Sequence, residues 1–235
     1  MEKREKVELF IDFIHRFAFH HVLWFLEVAR QQGEKKALEC LDEVYKESYS
    51  IFIGRLSKIL NFELIEGLPS QLLKLDDEKL NDLLKAISTN WLANDGIWFQ
   101  SVEFKRNMID AKRCNDSCWA QFSPIEAYFI KRFLNLDDSC GLKGLEKALN
   151  FRLYAFINKQ TIKGNDNALI LEMNDCRVQN ARKRKQLEEY PCKSGGWAEF
   201  SRFAEAIDSR IKTEIIACPP DSHPDEFFCA WRFFI

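Results

Sequence analysis

Over residues 7–30 the apolar positions Val7, Phe10, Ile11, Ile14, Phe17, Leu23, Leu26 and Val28 recur mostly at three- and four-residue steps, the spacing of one helical face. Gly33 ends this predicted helix. Ala37, Leu41, Val44, Tyr45, Tyr49, Phe52, Leu56 and Leu60 then trace a second face of similar length, so the two helices are expected to pack as an antiparallel hairpin. The stretch 61–70, with Gly67 and Pro69, reads as a connection to a third helix that opens at Asp76-Asp77-Glu78, runs past Trp91 and bends or stops at Gly96. Ser123-Pro124-Ile125-Glu126 puts a capping residue, a proline and a first-turn glutamate in the order of a helix start, which predicts a helix over 124–134; another is expected over 142–157.

The pattern changes after the turn cluster Lys163-Gly164-Asn165-Asp166. Residues 168–173, 211–217 and 227–234 suit strands, with β-branched or aromatic enrichment in the last two. Two short helices fall between the first two strands; the better runs over 196–207, where Trp197, Phe200, Phe203 and Ile207 form one apolar stripe. The expected fold class is therefore α+β: an N-terminal helical region, 1–163, packed against a small C-terminal α/β domain, 164–235, with an antiparallel sheet.

Composition narrows the function classes. A net charge of −2 with acids and bases interspersed gives no broad positive field, so neither a nucleic-acid nor a membrane partner is expected. The N-terminus lacks the form of a signal peptide, and the uncharged stretch 17–26 reads as too short and, with His20 and His21, too polar to cross a bilayer. A cytoplasmic protein is expected, and a homodimer is left open. Eight cysteines in that compartment point to metal binding, catalysis or plain burial rather than to disulfides. The 20 Phe and 6 Trp suit an aromatic core, and also a pocket for a small apolar or aromatic ligand. No Walker loop, Rossmann glycine fingerprint or G-x-S-x-G elbow appears.

Cys176, Cys192, Cys218 and Cys229 are the candidate functional site. Cys176 follows a predicted strand and opens a helix, and Cys192 precedes the Trp197 helix, so both thiols fall at helix N-termini that favour the anionic form. An extended 211–218 would point Glu214, Ile216 and Cys218 to one face, and a returning last strand carries Cys229, Trp231 and Phe233 on one face. Such a set could converge on zinc, or on an iron–sulfur cluster as a less favoured cofactor, although its spacing is not that of a repeated C-x-x-C pair. Cys114 and Cys118, four apart, share a face on a helix and could bind a metal or form a redox pair, with ordinary packing beside Trp119 and Phe122 as the alternative. His223 is the histidine nearest the cysteines in sequence. Arg182-Lys183-Arg184-Lys185 reads as a solvated helix face.

From about Ala168 onward the order of elements resembles the 4-vinyl-reductase domain through Cys192, Glu214, Cys218 and Cys229-Ala230-Trp231-Arg232-Phe233. That resemblance implies a zinc ion held by three cysteines and a glutamate beside a small-molecule pocket. Glu214 and Cys218 are one residue further apart than in that domain, which leaves Cys176 as the alternative fourth ligand. The stretch is also similar to the aminothiazoline-carboxylate hydrolase family through Cys176, Cys192 and Cys229-Ala230-Trp231. Trp98-Phe99-Gln100, Ala111-Lys112-Arg113-Cys114-Asn115-Asp116 and Met173-Asn174-Asp175-Cys176-Arg177 resemble an uncharacterised bacterial and archaeal cytosolic family. Two functions are carried forward: a small-molecule-binding protein with a cysteine-rich metal site, and a hydrolase of a carbon–nitrogen or carbon–sulfur bond in a small heterocycle. The hydrolase would use Cys176 or Cys192 as nucleophile, or a metal-bound water, with Asp175, Glu214 or His223 as acid/base partner.

Overall fold

The computed structural model describes residues 1–165 and 167–235; Asp166 of the expected turn cluster lies outside them. The chain is α+β and forms two compact units, Met1–Asp76 and Asp77–Ile235.

The first unit is the expected hairpin. Helix α1 (Lys3–Gln32) and helix α2 (Glu34–Leu60) meet at Gly33, whose φ of 91° reverses the chain where a side chain would be strained. The Phe17 and Phe52 rings stack across the hairpin, 6.5 Å apart. Among these residues only Ala37 and Leu41 of α2 are buried. By length and composition α1 could cross a membrane, a property that the shorter uncharged stretch within it does not reveal. Residues 61–70, expected as a plain connection, hold a two-residue hairpin, β1 (Leu64–Ile65) and β2 (Leu68–Pro69), turned by Glu66 and Gly67 at positive φ; the short helix α3 (Ser70–Leu73) follows.

The second unit opens with α4 (Asp77–Lys105), which passes through Gly96 without stopping, and α5 (Met108–Leu134). Helix α5 begins at Asn107, whose side chain caps the Asp110 amide at 2.8 Å, and not at Ser123 as expected. Pro124 sits inside this helix, at a cost of roughly 3 kcal/mol in a free helix. Burial of Trp119, Ala127 and Ile130 on both sides of the proline offsets that cost and keeps the helix continuous. Helix α6 (Gly141–Leu149) is shorter than expected, a 3₁₀ turn (Leu153–Phe156) occupying the rest of 142–157.

The sheet has the order β3-β4-β6-β5 and is antiparallel throughout, with β3 (Lys159–Gly164), β4 (Ala168–Asp175), β5 (Lys212–Ala217) and β6 (Cys229–Phe234). Helices α7 (Arg177–Arg184) and α8 (Lys193–Ile207) connect β4 to β5. Leu169 and Leu171 of β4, Trp231 and Phe233 of β6, Phe200, Phe203, Ala204 and Ile207 of α8, and residues of α5 and α6 form one core. This core takes residues from both sides of 163/164, and the compact units meet between Asp76 and Asp77. On the sheet's outer side, Lys163 pairs with Glu172 at 3.0 Å and Arg232 with Glu214 at 2.9 Å.

Candidate functional site

Two helix starts bring two of the cysteines together. Cys176 follows β4 directly and is the N-cap of α7, and Cys192 is the N-cap of α8, as their sequence positions imply. The buried Gln179 of α7 holds the segment before α8: its Oε1 accepts from the Tyr190 amide at 3.1 Å, and its Nε2 donates to Tyr190 O at 2.8 Å and to Cys192 Sγ at 3.2 Å. Packing between α7 and the start of α8 is thereby fixed by a side chain that reads both backbone and sulfur.

The other two come from the sheet. Along β5 the ladder pairs Glu214 with Arg232 and Ile215 with Trp231, and then Ala217 with Ala230, so Ile216 is a bulge. One extra residue inverts the alternation beyond it. Glu214 therefore stays on the outer face, exposed and paired with Arg232, while Cys218 crosses to the buried face. The expectation that Glu214 joins the cysteines is corrected on that ground. Cys218 is fully buried, within hydrogen-bonding reach of both Cys192 and Cys229, and Cys229 also accepts from Trp231 Nε1 at 3.4 Å.

All four sulfur-bearing residues line one cavity of ≈ 460 Å³, between α4, α5, α7, α8 and the sheet. The side-chain hydrogen bonds with Cys192 and Cys229, and then burial, hold Cys218 protonated, well above the ordinary thiol range. Cys229 is the acidic member, lowered first by its hydrogen bond with Cys218. Burial, then the neighbouring Cys192, pushes Cys176 up to about 12. Among the described residues no group of three or more His, Cys, Asp or Glu side chains is arranged to hold a metal ion.

The remaining wall is aromatic and acidic, and sequence reading alone did not single it out. Trp119 stacks on Tyr154 at 5.6 Å, Phe99 meets Tyr190 edge-on at 5.1 Å and Phe200 meets Trp231 at 4.8 Å; all six line the cavity. Asp95 and Glu199 line it too. Burial raises Asp95 to about 6 and, against the pull of Arg152, Glu199 to about 7. Arg152, 3% exposed, donates to Glu126 Oε2 at 3.0 Å and to Glu199 Oε1 at 2.6 Å, with its guanidinium over the Phe203 and Phe200 rings. A second chain of polar groups runs from Lys112 to the Tyr190 hydroxyl at 3.1 Å, from that hydroxyl to Asn115 Oδ1, and from Asn115 Nδ2 to Asp95 at 3.3 Å. Their one sequence signal is charge placed on otherwise apolar helix faces, as with Asp95 beside Leu92 and Phe99.

The other candidates have separate surroundings, apart from Arg182, which also lines the cavity. Cys114 and Cys118 are exposed, free thiols. His223 packs on Phe228, outside the cavity lining, and Asp175 accepts from Asn180 at 2.5 Å. Arg182, expected on a solvated face, is buried and donates to both carboxylate oxygens of Glu103 at 2.8 and 3.0 Å.

No curated protein and no solved structure matches the chain. The model of a family of unknown function (DUF6125) matches residues 71–235, which contain the whole of the cysteine-lined cavity, and the chain belongs to that family.

Proposed function

We propose that residues 77–235 form a small-molecule-binding domain whose cavity carries a thiol centre that takes a zinc ion. The observation that carries the reading is the meeting of four cysteines, from two helix N-termini and two strand ends, on the wall of one cavity whose other walls are aromatic. The side chains as they stand form no group arranged to hold an ion, so loading would have to draw the sulfurs together, and it is their chemistry that suits a thiophilic ion: Cys192 and Cys229 already accept N–H bonds, as metal thiolates do, and Cys218 joins them through its proton. Cys192, Cys218 and Cys229 would hold the ion, with Cys176 as the fourth ligand, and loading would exchange thiol protons for the metal. Its role would be structural, tying α7 and α8 to the strand ends beside the ligand. A cytoplasmic setting, which keeps thiols reduced, completes the reading.

Emission spectrometry on the purified full chain tests the metal. About one zinc per chain is expected, and less than about 0.2 after gentle purification would overturn the zinc centre, since a structural site holds its ion tightly. Thiol titration separates the second reading, a hydrolase, which is favoured by the acidic Cys229 lying in one cavity with Asp95 and Glu199. A nucleophile should alkylate fast at neutral pH, whereas metal-bound thiols should stay protected until a chelator is added.

A further inference from the structure

The charges on the cavity wall lean positive. The lining holds two carboxylates, and both are already partnered: Asp95 accepts from Asn115 and Glu199 accepts from Arg152. Burial also raises both towards the neutral form. Four basic residues line the same cavity, Arg177, Arg182, Arg184 and Lys185. Glu103 cancels Arg182, whereas Lys185 donates to the neutral Gln100 Oε1 at 3.0 Å. Arg177 and Arg184 have no carboxylate partner among the described residues. Seven residues apart, they fall on one face of α7, two turns from each other. Cations at the end of a helix complement its dipole, but Arg177 stands in the first turn, where a cation opposes it, so helix stability does not account for its place.

Resting on the reading of this cavity as a small-molecule site, we infer that its ligand is an aromatic anion: a flat ring that lies on the aromatic walls and carries a carboxylate held by Arg177, Arg184 and Lys185. A cavity of ≈ 460 Å³ admits a compound of one or two rings. Trp119, Tyr154 and Phe99 offer such a body both faces and edges. The planar fork of an arginine takes a carboxylate through two parallel N–H bonds. Gly96 of α4 lines the cavity too, and a side chain there would meet nothing within 4 Å, so the space beside it is open. A neutral ligand would leave the three cations to water alone. A cationic one would be repelled by them.

Three probes of one shape separate these cases by calorimetry on the full chain: benzoate as the anion, benzamide as the neutral isostere and benzamidine as the cation. Benzoate is expected to bind about tenfold or more tighter than benzamide, with benzamidine weakest. Arg177→Gln, Arg184→Gln and Lys185→Gln combined should cut the preference to within about threefold while benzamide binding stays as it was; these side chains are exposed or half-buried, so the fold tolerates the change. Gly96→Leu fills the open space with a better helix former and should weaken benzoate by about tenfold or more. Benzoate binding that Gly96→Leu leaves unchanged would put the anion on the outside of α7 and overturn the inference. Equal binding of benzoate and benzamide, or tightest binding of benzamidine, also overturns it and leaves the small-molecule reading standing. Binding of none of the three overturns both. The comparison on the unmodified chain stands by itself if a variant does not fold.

Discussion

Replacing Arg152 with methionine removes the cation that two interior carboxylates share while keeping most of the volume that packs on Phe200 and Phe203. Arg152 is 3% exposed and its partners are 7% and 11% exposed, so water cannot replace the lost ion pairs. Breaking a buried pair from one side costs about 3–5 kcal/mol, because the surviving charge is left without a partner. Glu126 keeps its bond from the Leu153 amide at 2.9 Å, which limits the damage on that side. The loss should depend on pH with a definite sign. Glu199 is already raised from 4.5 to about 7 by burial, so the native state binds its proton more tightly than the unfolded chain does, and stability falls as pH rises between those values. Without Arg152 the native carboxyl moves up further. The variant's deficit should therefore be largest near pH 8 and shrink towards pH 5, where the native state takes up the proton instead. Urea unfolding followed by tryptophan fluorescence reads this unit, which holds Trp91, Trp98, Trp119, Trp197 and Trp231. Adding Glu199→Gln to the variant should recover part of the loss. A deficit under about 1 kcal/mol, or one that is the same at both pH values, would refute the reasoning, because it would mean that solvent reaches the carboxylates.

Other changes test the frame of the cavity. A methyl group at Gly196 would lie 2.6 Å from Cζ2 of the fully buried Trp231, so Gly196→Ala should cost about 1–3 kcal/mol in urea unfolding, and wild-type stability would show that the Trp231 wall yields. Tyr190→Phe removes the hydroxyl between Lys112 and Asn115 and should cost about 1–3 kcal/mol by the same assay. Asp208 is held well below the usual carboxylate range by Arg210 and by the backbone amides of Arg210 and Gly141. Its contribution is present in full above the unfolded value of 3.8 and fades as pH falls from there through the lower folded value, so Asp208→Asn should destabilise most at pH 7 and by a clearly smaller amount at pH 2, as thermal melts at the two pH values would show.

Periodicity in the sequence was enough for α1, α2 and α8, whose apolar positions repeat without competition from turn residues. It was enough for β4, β5 and β6, and for Cys176 and Cys192 as helix starts, because a turn signal and a change of period meet at each. Strand β3 has no apolar alternation to mark it, because Lys159-Gln160-Thr161-Ile162-Lys163 is polar on an edge, where charged side chains deter further pairing. The start of α5 was misplaced because Ser123-Pro124 carries a local helix-start signal that tertiary packing overrides. Glu214 was assigned the wrong face because a bulge leaves no mark in the alternation of residues. Asp95, Tyr190, Arg152 and Glu199 acquire meaning only when α4, α5, α8 and the segment before α8 approach one another, and no local pattern encodes that approach.

Four sulfurs distant in the chain, if they form one metal centre, should load with metal as a unit. Cobalt(II) substitutes for zinc in tetrahedral thiolate sites and makes them visible, so titrating the metal-free full chain with it, in the parent and in single Cys→Ser variants, is the most direct test. The parent should develop the visible absorption of a cobalt–thiolate site at about one equivalent, Cys192→Ser, Cys218→Ser and Cys229→Ser should each abolish it, Cys176→Ser should weaken or shift it, and Glu214→Gln should leave it unchanged. No visible band in the parent, or a band that survives Cys218→Ser, would contradict the account.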